Sequence, residues 1–129
     1  MKFIQLNTHK AQLAAIELHN ELDRSQSVAL ITEPYTYKNR MVGIPQGYTP
    51  YIHSNNDEDP KPRAAVLLPH GVDAVRLEQF CNRDSMAIKI SLLSGKLILC
   101  SAYLDILLDV VPGWLERLVL YAENEGTGQ

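Results

Sequence analysis

Three polar residues stand where apolar runs of this sequence give way to loops. Asn7 closes the run Phe3-Ile4-Gln5-Leu6, Glu33 follows the apolar residues 28–32, and Tyr103 ends residues 97–103. In open α/β sheets, chemistry gathers at the carboxyl ends of strands. A carboxylate there can hold a hard divalent cation, an amide can orient a water or bind a phosphate, and a phenol can donate to a phosphate oxygen. Together they suit metal-assisted phosphodiester hydrolysis. Each also has a plainer reading. Asn7 can cap the helix that follows, Glu33 before Pro34 can be an exposed loop carboxylate, and Tyr103 can be a sheet residue with its hydroxyl at the rim.

Other chemistries find less support. His19 falls on the polar side of a helical segment, and His53 and His70 fall in loop-rich stretches. No His-x-x-His, Cys-x-x-Cys or Gly-x-Ser-x-Gly spacing occurs, which disfavours zinc and serine-hydrolase sites. The glycines at 43–47 and 126–128 do not form a phosphate loop. Cys81 and Cys100 are too few for a disulfide framework, and Cys100 reads as a small core residue.

The chain has 129 residues, 46% of them hydrophobic, which suits one α/β domain or part of one. Its net charge of -3 does not advertise a grip on nucleic acid. A metal ion can nonetheless supply positive charge at a scissile phosphate. The longest apolar run, residues 104–111, is broken by Asp105 and Asp109 and is too short to span a bilayer, so no membrane partner is expected. The first residues carry no signal-peptide pattern, which points to the cell interior.

The elements that must position the three residues follow from periodicity. Residues 2–7 read as a strand and residues 10–24 as a helix, with Ala11, Ala14, Ala15, Leu18 and Leu22 on one face. Residues 28–32 form a continuously apolar strand, and strand–helix–strand order argues for parallel pairing. Residues 34–62 are punctuated by Gly and Pro, with short strands near 42–44 and 50–54 and a solvated loop at 55–59. Residues 64–68 and 86–92 are clear strands, and Ser94-Gly95 turns the chain into residues 97–103. Residues 74–80 are a weaker strand. Pro112 can open a last helix with Leu115, Leu118, Val119 and Ala122 on its apolar face and Gly126 at its end.

The segments Phe3-Ile4-Gln5-Leu6-Asn7-Thr8, Ala29-Leu30-Ile31-Thr32-Glu33-Pro34-Tyr35, Arg83-Asp84 and Leu99-Cys100-Ser101-Ala102-Tyr103-Leu104 carry a resemblance. In this order they resemble the endonuclease domain of non-LTR retrotransposons, within the endonuclease/exonuclease/phosphatase superfamily. The likeness is to the arthropod elements that insert into ribosomal or telomeric repeats, and it spans nearly the whole chain. It implies an α/β fold over residues 1–129, half of that superfamily's α/β sandwich, expected here as a mixed sheet with the helices on one face. It implies DNA as partner, nicking as the activity, and a cellular site that includes the nucleus. Glu33 would bind Mg²⁺, Asn7 would help hold the same ion, and Tyr103 would contact the scissile phosphate. Arg83 and Asp84 would be structural, a salt-bridged turn between strands.

Two departures temper this. Many relatives carry an acidic residue two places after the Asn, where this chain has His9, read as a solvent-facing residue at the helix start. The family pattern also continues with a Gly-Asp-x-Asn-Ala-His-like strand end and a Ser-Asp-His-like segment, which these residues do not include. Very weak hydrolysis, or none, is therefore expected of this chain alone, with Mg²⁺ held weakly in the absence of substrate. The alternatives are a non-catalytic remnant that binds or self-associates, and a phosphatase relative. Leu97, Ile98 and Leu99 put apolar side chains on both faces of one strand, so an uncovered sheet face and a homo-oligomer are expected.

Overall fold

The computed structural model describes residues 2–37, 40–53, 61–103 and 113–127. The chain begins with β1 (Phe3–Asn7), α1 (Gln12–Ser25) and β2 (Val28–Thr32). β1 and β2 pair in parallel, with Asn7 opposite Thr32, as a strand–helix–strand unit requires. A short hairpin follows, β3 (Thr36–Tyr37) and β4 (Arg40–Met41), and then β5 (Tyr48–Ile52) and β6 (Ala64–Pro69). β6 runs antiparallel to both β2 and β5. The resulting sheet is mixed, in the order β1-β2-β6-β5. β5 is its edge, which tolerates Pro50.

A second, antiparallel sheet is built from β7 (Asp73–Arg76), β8 (Ser85–Leu92) and β9 (Gly95–Ala102), and α2 (Gly113–Thr127) closes the described chain. The two sheets face each other. Val28, Val66 and Leu68 of the first pack against Met86, Ile88, Ile90 and Leu99 of the second. On the outside of the first sheet, Leu18 and Leu22 of α1 bury against Ala29, Ile31, Ala65 and Leu67. On the outside of the second, Leu118 of α2 packs with Leu77, Phe80 and Ala87. The order of layers is helix, sheet, sheet, helix.

The α/β class and the mixed sheet agree with the sequence reading, but the helices do not share a face. The pattern of β8 explains the difference. Its Met86, Ile88 and Ile90 meet the first sheet while Ala87 meets α2, so one strand supplies two cores. Part of the β9 surface expected to lack a cover is covered within the chain. Leu99 is buried between the sheets, and Ile98 packs on the α2 side. Leu97, the third residue of that pattern, is 37% exposed.

Local boundaries shift for identifiable reasons. α1 starts at Gln12 and not at residue 10, because His9 and Lys10 have φ of 52° and 56°, outside the right-handed helical region. Leu18 and Leu22 are its buried residues. Its C-terminus is closed by Gln26 in the left-handed conformation, whose N–H donates to the Leu22 carbonyl at 2.9 Å. The Tyr48 hydroxyl then donates to the Ser27 carbonyl at 2.6 Å, tying β5 to the helix exit. The weaker strand expected at 74–80 ends at Arg76 and continues as a 3-10 turn over Glu78–Phe80. In the β8–β9 hairpin Leu92 pairs with Gly95, so Leu93 and Ser94 make the turn. α2 continues through Gly126 to Thr127, and Val119 is half exposed although it was expected on the apolar face. Pro112, the apolar residues 104–111 and the loop at 55–59 lie outside the described residues.

Candidate functional site

The sandwich brings three strand ends together. Asn7 is the last residue of β1, Glu33 directly follows β2, and Tyr103 directly follows β9. A cleft at this end is lined by Gln5 and Asn7 of β1, Leu30 and Thr32 of β2, and Ser101 and Ala102 of β9. Ser101 is the reason the two sheets meet closely here. Its buried hydroxyl donates to the Ile31 carbonyl at 2.7 Å, crossing from β9 to β2. Asn7 and Glu33 therefore come from one sheet and Tyr103 from the other.

Glu33 sits in the left-handed region, with φ of 50°. A non-glycine residue pays for that conformation, and here hydrogen bonds on both sides of it hold it in place. Its N–H donates to the Arg63 carbonyl at 2.9 Å. Its carbonyl accepts from the Thr8 hydroxyl and from the Lys10 N–H. Pro34 behind it is fully buried. The Glu33 side chain is only 22% exposed, and its Oε2 lies 3.7 Å from Nδ1 of His9, which is itself 76% exposed. His9 is thus solvent-facing as expected, but it precedes the helix and adjoins the carboxylate.

Asn7 does not cap α1, which has no side-chain cap. Its Oδ1 instead accepts from the His9 N–H at 2.8 Å and fixes the turn that leads past Glu33. An amide oxygen has a second lone pair, so this bond leaves it able to accept again.

Sequence reasoning missed Thr8, Arg63 and Ser101. Thr8 is buried, and Arg63 lies outside the segments that carried the resemblance. The Arg63 guanidinium reaches Asp84 through both carboxylate oxygens, at 2.6 and 2.8 Å, and lies 4.2 Å from the centroid of the Tyr103 ring. The expected Arg83–Asp84 turn is present, but the main partner of Asp84 is Arg63. Arg83 Nε is 4.0 Å from the Asp84 carboxylate and donates to the Lys61 carbonyl at 3.0 Å. His19 lies away from the site, its Nδ1 2.7 Å from the Gly43 carbonyl oxygen. Cys81 and Cys100 are free, and burial pushes the Cys100 thiol above its ordinary pKa.

Among the described residues no group of three or more His, Cys, Asp or Glu side chains converges.

The mixed α/β sandwich matches the fold of an endonuclease domain. In structure the chain is similar to the endonuclease domain of TRAS1, a telomere-specific non-LTR retrotransposon, with a TM-score of 0.68 and 20% identity. That match covers 98% of this chain and 53% of the other. In sequence it is 28% identical over 126 residues to the 115 kDa protein in type-1 retrotransposable element R1DM of Drosophila melanogaster. The second match covers 95% of this chain and 12% of that protein. The chain therefore spans about half of the solved domain and a small part of the curated relative. No protein-family profile matches the sequence.

Proposed function

We propose that this chain carries the metal- and phosphate-facing part of a DNA-nicking endonuclease of the non-LTR retrotransposon kind. The observation that carries this reading is that Asn7, Glu33 and Tyr103 each stand at the end of a strand, with β1 and β2 paired in parallel and β9 tied to β2 through Ser101. The likeness to a retrotransposon endonuclease domain supports it.

In this reading Glu33 and Asn7 hold Mg²⁺, which supplies positive charge beside the scissile phosphate that a chain of net charge -3 otherwise lacks. Tyr103 donates a hydrogen bond from its phenol to a phosphate oxygen. Thr8 and Arg63 keep the Glu33 backbone in its left-handed conformation, so its carboxylate points from a fixed base. No second carboxylate or histidine base is assigned among these residues. We therefore propose that full-rate hydrolysis draws on groups beyond these 129 residues.

The test is nicking of supercoiled plasmid with Mg²⁺. The chain alone is expected to give little or no nicking. A longer domain that includes it should nick, and Glu33→Ala within that domain should abolish the activity. Nicking that persists in Glu33→Ala would remove the carboxylate from the mechanism.

A further inference from the structure

Glu33 and Tyr103 stand on different sheets, and a continuous chain of contacts through Arg63 and Asp84 joins them. The Glu33 N–H donates to the Arg63 carbonyl at 2.9 Å. The Arg63 side chain then crosses to the second sheet and grips both oxygens of Asp84, at 2.6 and 2.8 Å. The Asp84 carbonyl accepts the Tyr103 N–H at 2.8 Å. The guanidinium that makes this crossing also lies over the Tyr103 ring, 4.2 Å from its centroid. A further rung, from the Arg63 N–H to the Arg83 carbonyl, runs beside it.

From this circuit we infer that Arg63, fastened by Asp84, is the positioning residue that sets where the Tyr103 phenol stands relative to the Glu33 carboxylate. A planar guanidinium suits the task. It offers one edge to a carboxylate in two parallel bonds while its face stacks on an aromatic ring, which an ammonium cannot do. Arg63 is 24% exposed in its side chain and Asp84 34%, so the pair is shielded enough to hold one geometry. A surface ion pair free to rearrange would leave the ring to choose among rotamers. Reacting groups misplaced by about 1 Å lose on the order of 100-fold in rate, so a fixed ring matters to any chemistry shared across the two sheets. The inference rests on the endonuclease reading only for the reaction that the two groups serve.

The experiment measures the χ1 rotamer of Tyr103 in the full 129-residue chain, through three-bond couplings from its backbone to Cγ in isotope-labelled protein. The unsubstituted chain should show one rotamer. Arg63→Met and Asp84→Asn should each show averaged couplings, and Arg63→Lys should resemble Arg63→Met despite keeping the charge. Methyl signals of Ile31 and Leu67 report that each variant is folded. Asp84→Asn keeps the side-chain shape and serves as the reading where Arg63→Met does not fold. A single Tyr103 rotamer in either folded variant overturns the inference, whatever its thermal midpoint. The same variants in a longer domain that nicks plasmid should lose about 100-fold in rate with DNA affinity unchanged. Averaged couplings together with a domain that never nicks would sustain the positioning role and overturn the endonuclease reading.

Discussion

The hydroxyl of Thr8 donates to the carbonyl of Glu33, across 25 residues of sequence. Thr8 sits just past β1 and Glu33 just past β2, so the bond continues the parallel pairing of the strands beyond their last ladder partners. It is the continuation that fixes the backbone of a carboxylate-bearing residue directly past the end of β2. Thr8 is buried, and a replacement that keeps the shape but removes the hydroxyl leaves the Glu33 carbonyl with the Lys10 N–H as its remaining partner. Thr8→Val should therefore lower unfolding free energy by about 1 kcal/mol, and Thr8→Ser should recover most of it. Urea denaturation checks both, and a Val variant as stable as the parent would show that the bond contributes nothing.

The left-handed backbone at Glu33 makes an opposite prediction for the neighbouring position. Asn visits that region at lower cost than Glu. Glu33→Asn should raise stability by about 0.5–1 kcal/mol while removing any Mn²⁺-induced broadening of signals at the site. A gain in stability with loss of metal response is the signature of a residue kept for function against its own conformational preference. A less stable Asn variant would count against the strain.

The buried bond from Ser101 to the Ile31 carbonyl is the one described side-chain bond between β9 and β2. Ser101→Ala should cost about 1 kcal/mol. It should also speed hydrogen exchange at the β2 and β9 ends before it does so at Met86 or Ile88, in the centre of the second sheet. Uniform acceleration across both sheets would mean that the hydroxyl is not what fastens this end.

Much of this architecture could be read from periodicity alone. The continuous apolar run 28–32 becomes the buried strand β2, residues 86–92 become most of β8, and Leu18 and Leu22 are the anchors of α1. Periodicity gives the faces of an element but not its partner. It marks Ile98 and Leu99 as facing opposite ways without revealing that one meets α2 and the other a second sheet. The start of α1 was hidden because His9 and Lys10 adopt positive φ without being glycine, so no residue type announces the break. The strand ends at Asn7, Glu33 and Tyr103 were legible because each closes an apolar run. Thr8, Arg63 and Ser101 were not, because each acquires its role from a partner at least 20 residues away in sequence.

The last prediction concerns alkaline pH. Burial, foremost, pushes the Cys100 thiol above its ordinary value of 9.0, with Ser85 acting in the opposite sense and Cys81 adding to the rise. Tyr48 is raised above 10.0, first by burial and then by Asp23. Both groups are neutral when protonated, and both bind their protons more tightly in the folded chain. Below about pH 9 each is protonated in folded and unfolded states alike, so neither makes stability depend on pH. Above the ordinary thiol value the unfolded chain gives up its Cys100 proton first, and stability falls as pH rises towards the folded value. Tyr48 adds to the decline from its own ordinary value upward. Chemical denaturation between pH 8 and 11 should show a flat segment followed by this fall. Cys100→Ala should delay its onset by about one unit, to where Tyr48 begins to titrate. The Ser85 hydroxyl still donates to the Phe80 carbonyl at 2.8 Å in that variant, so no buried donor is stranded. An onset unmoved by Cys100→Ala would mean that the thiol titrates alike in both states, and that its packing between Ser85 and the α2 core does not keep water from it.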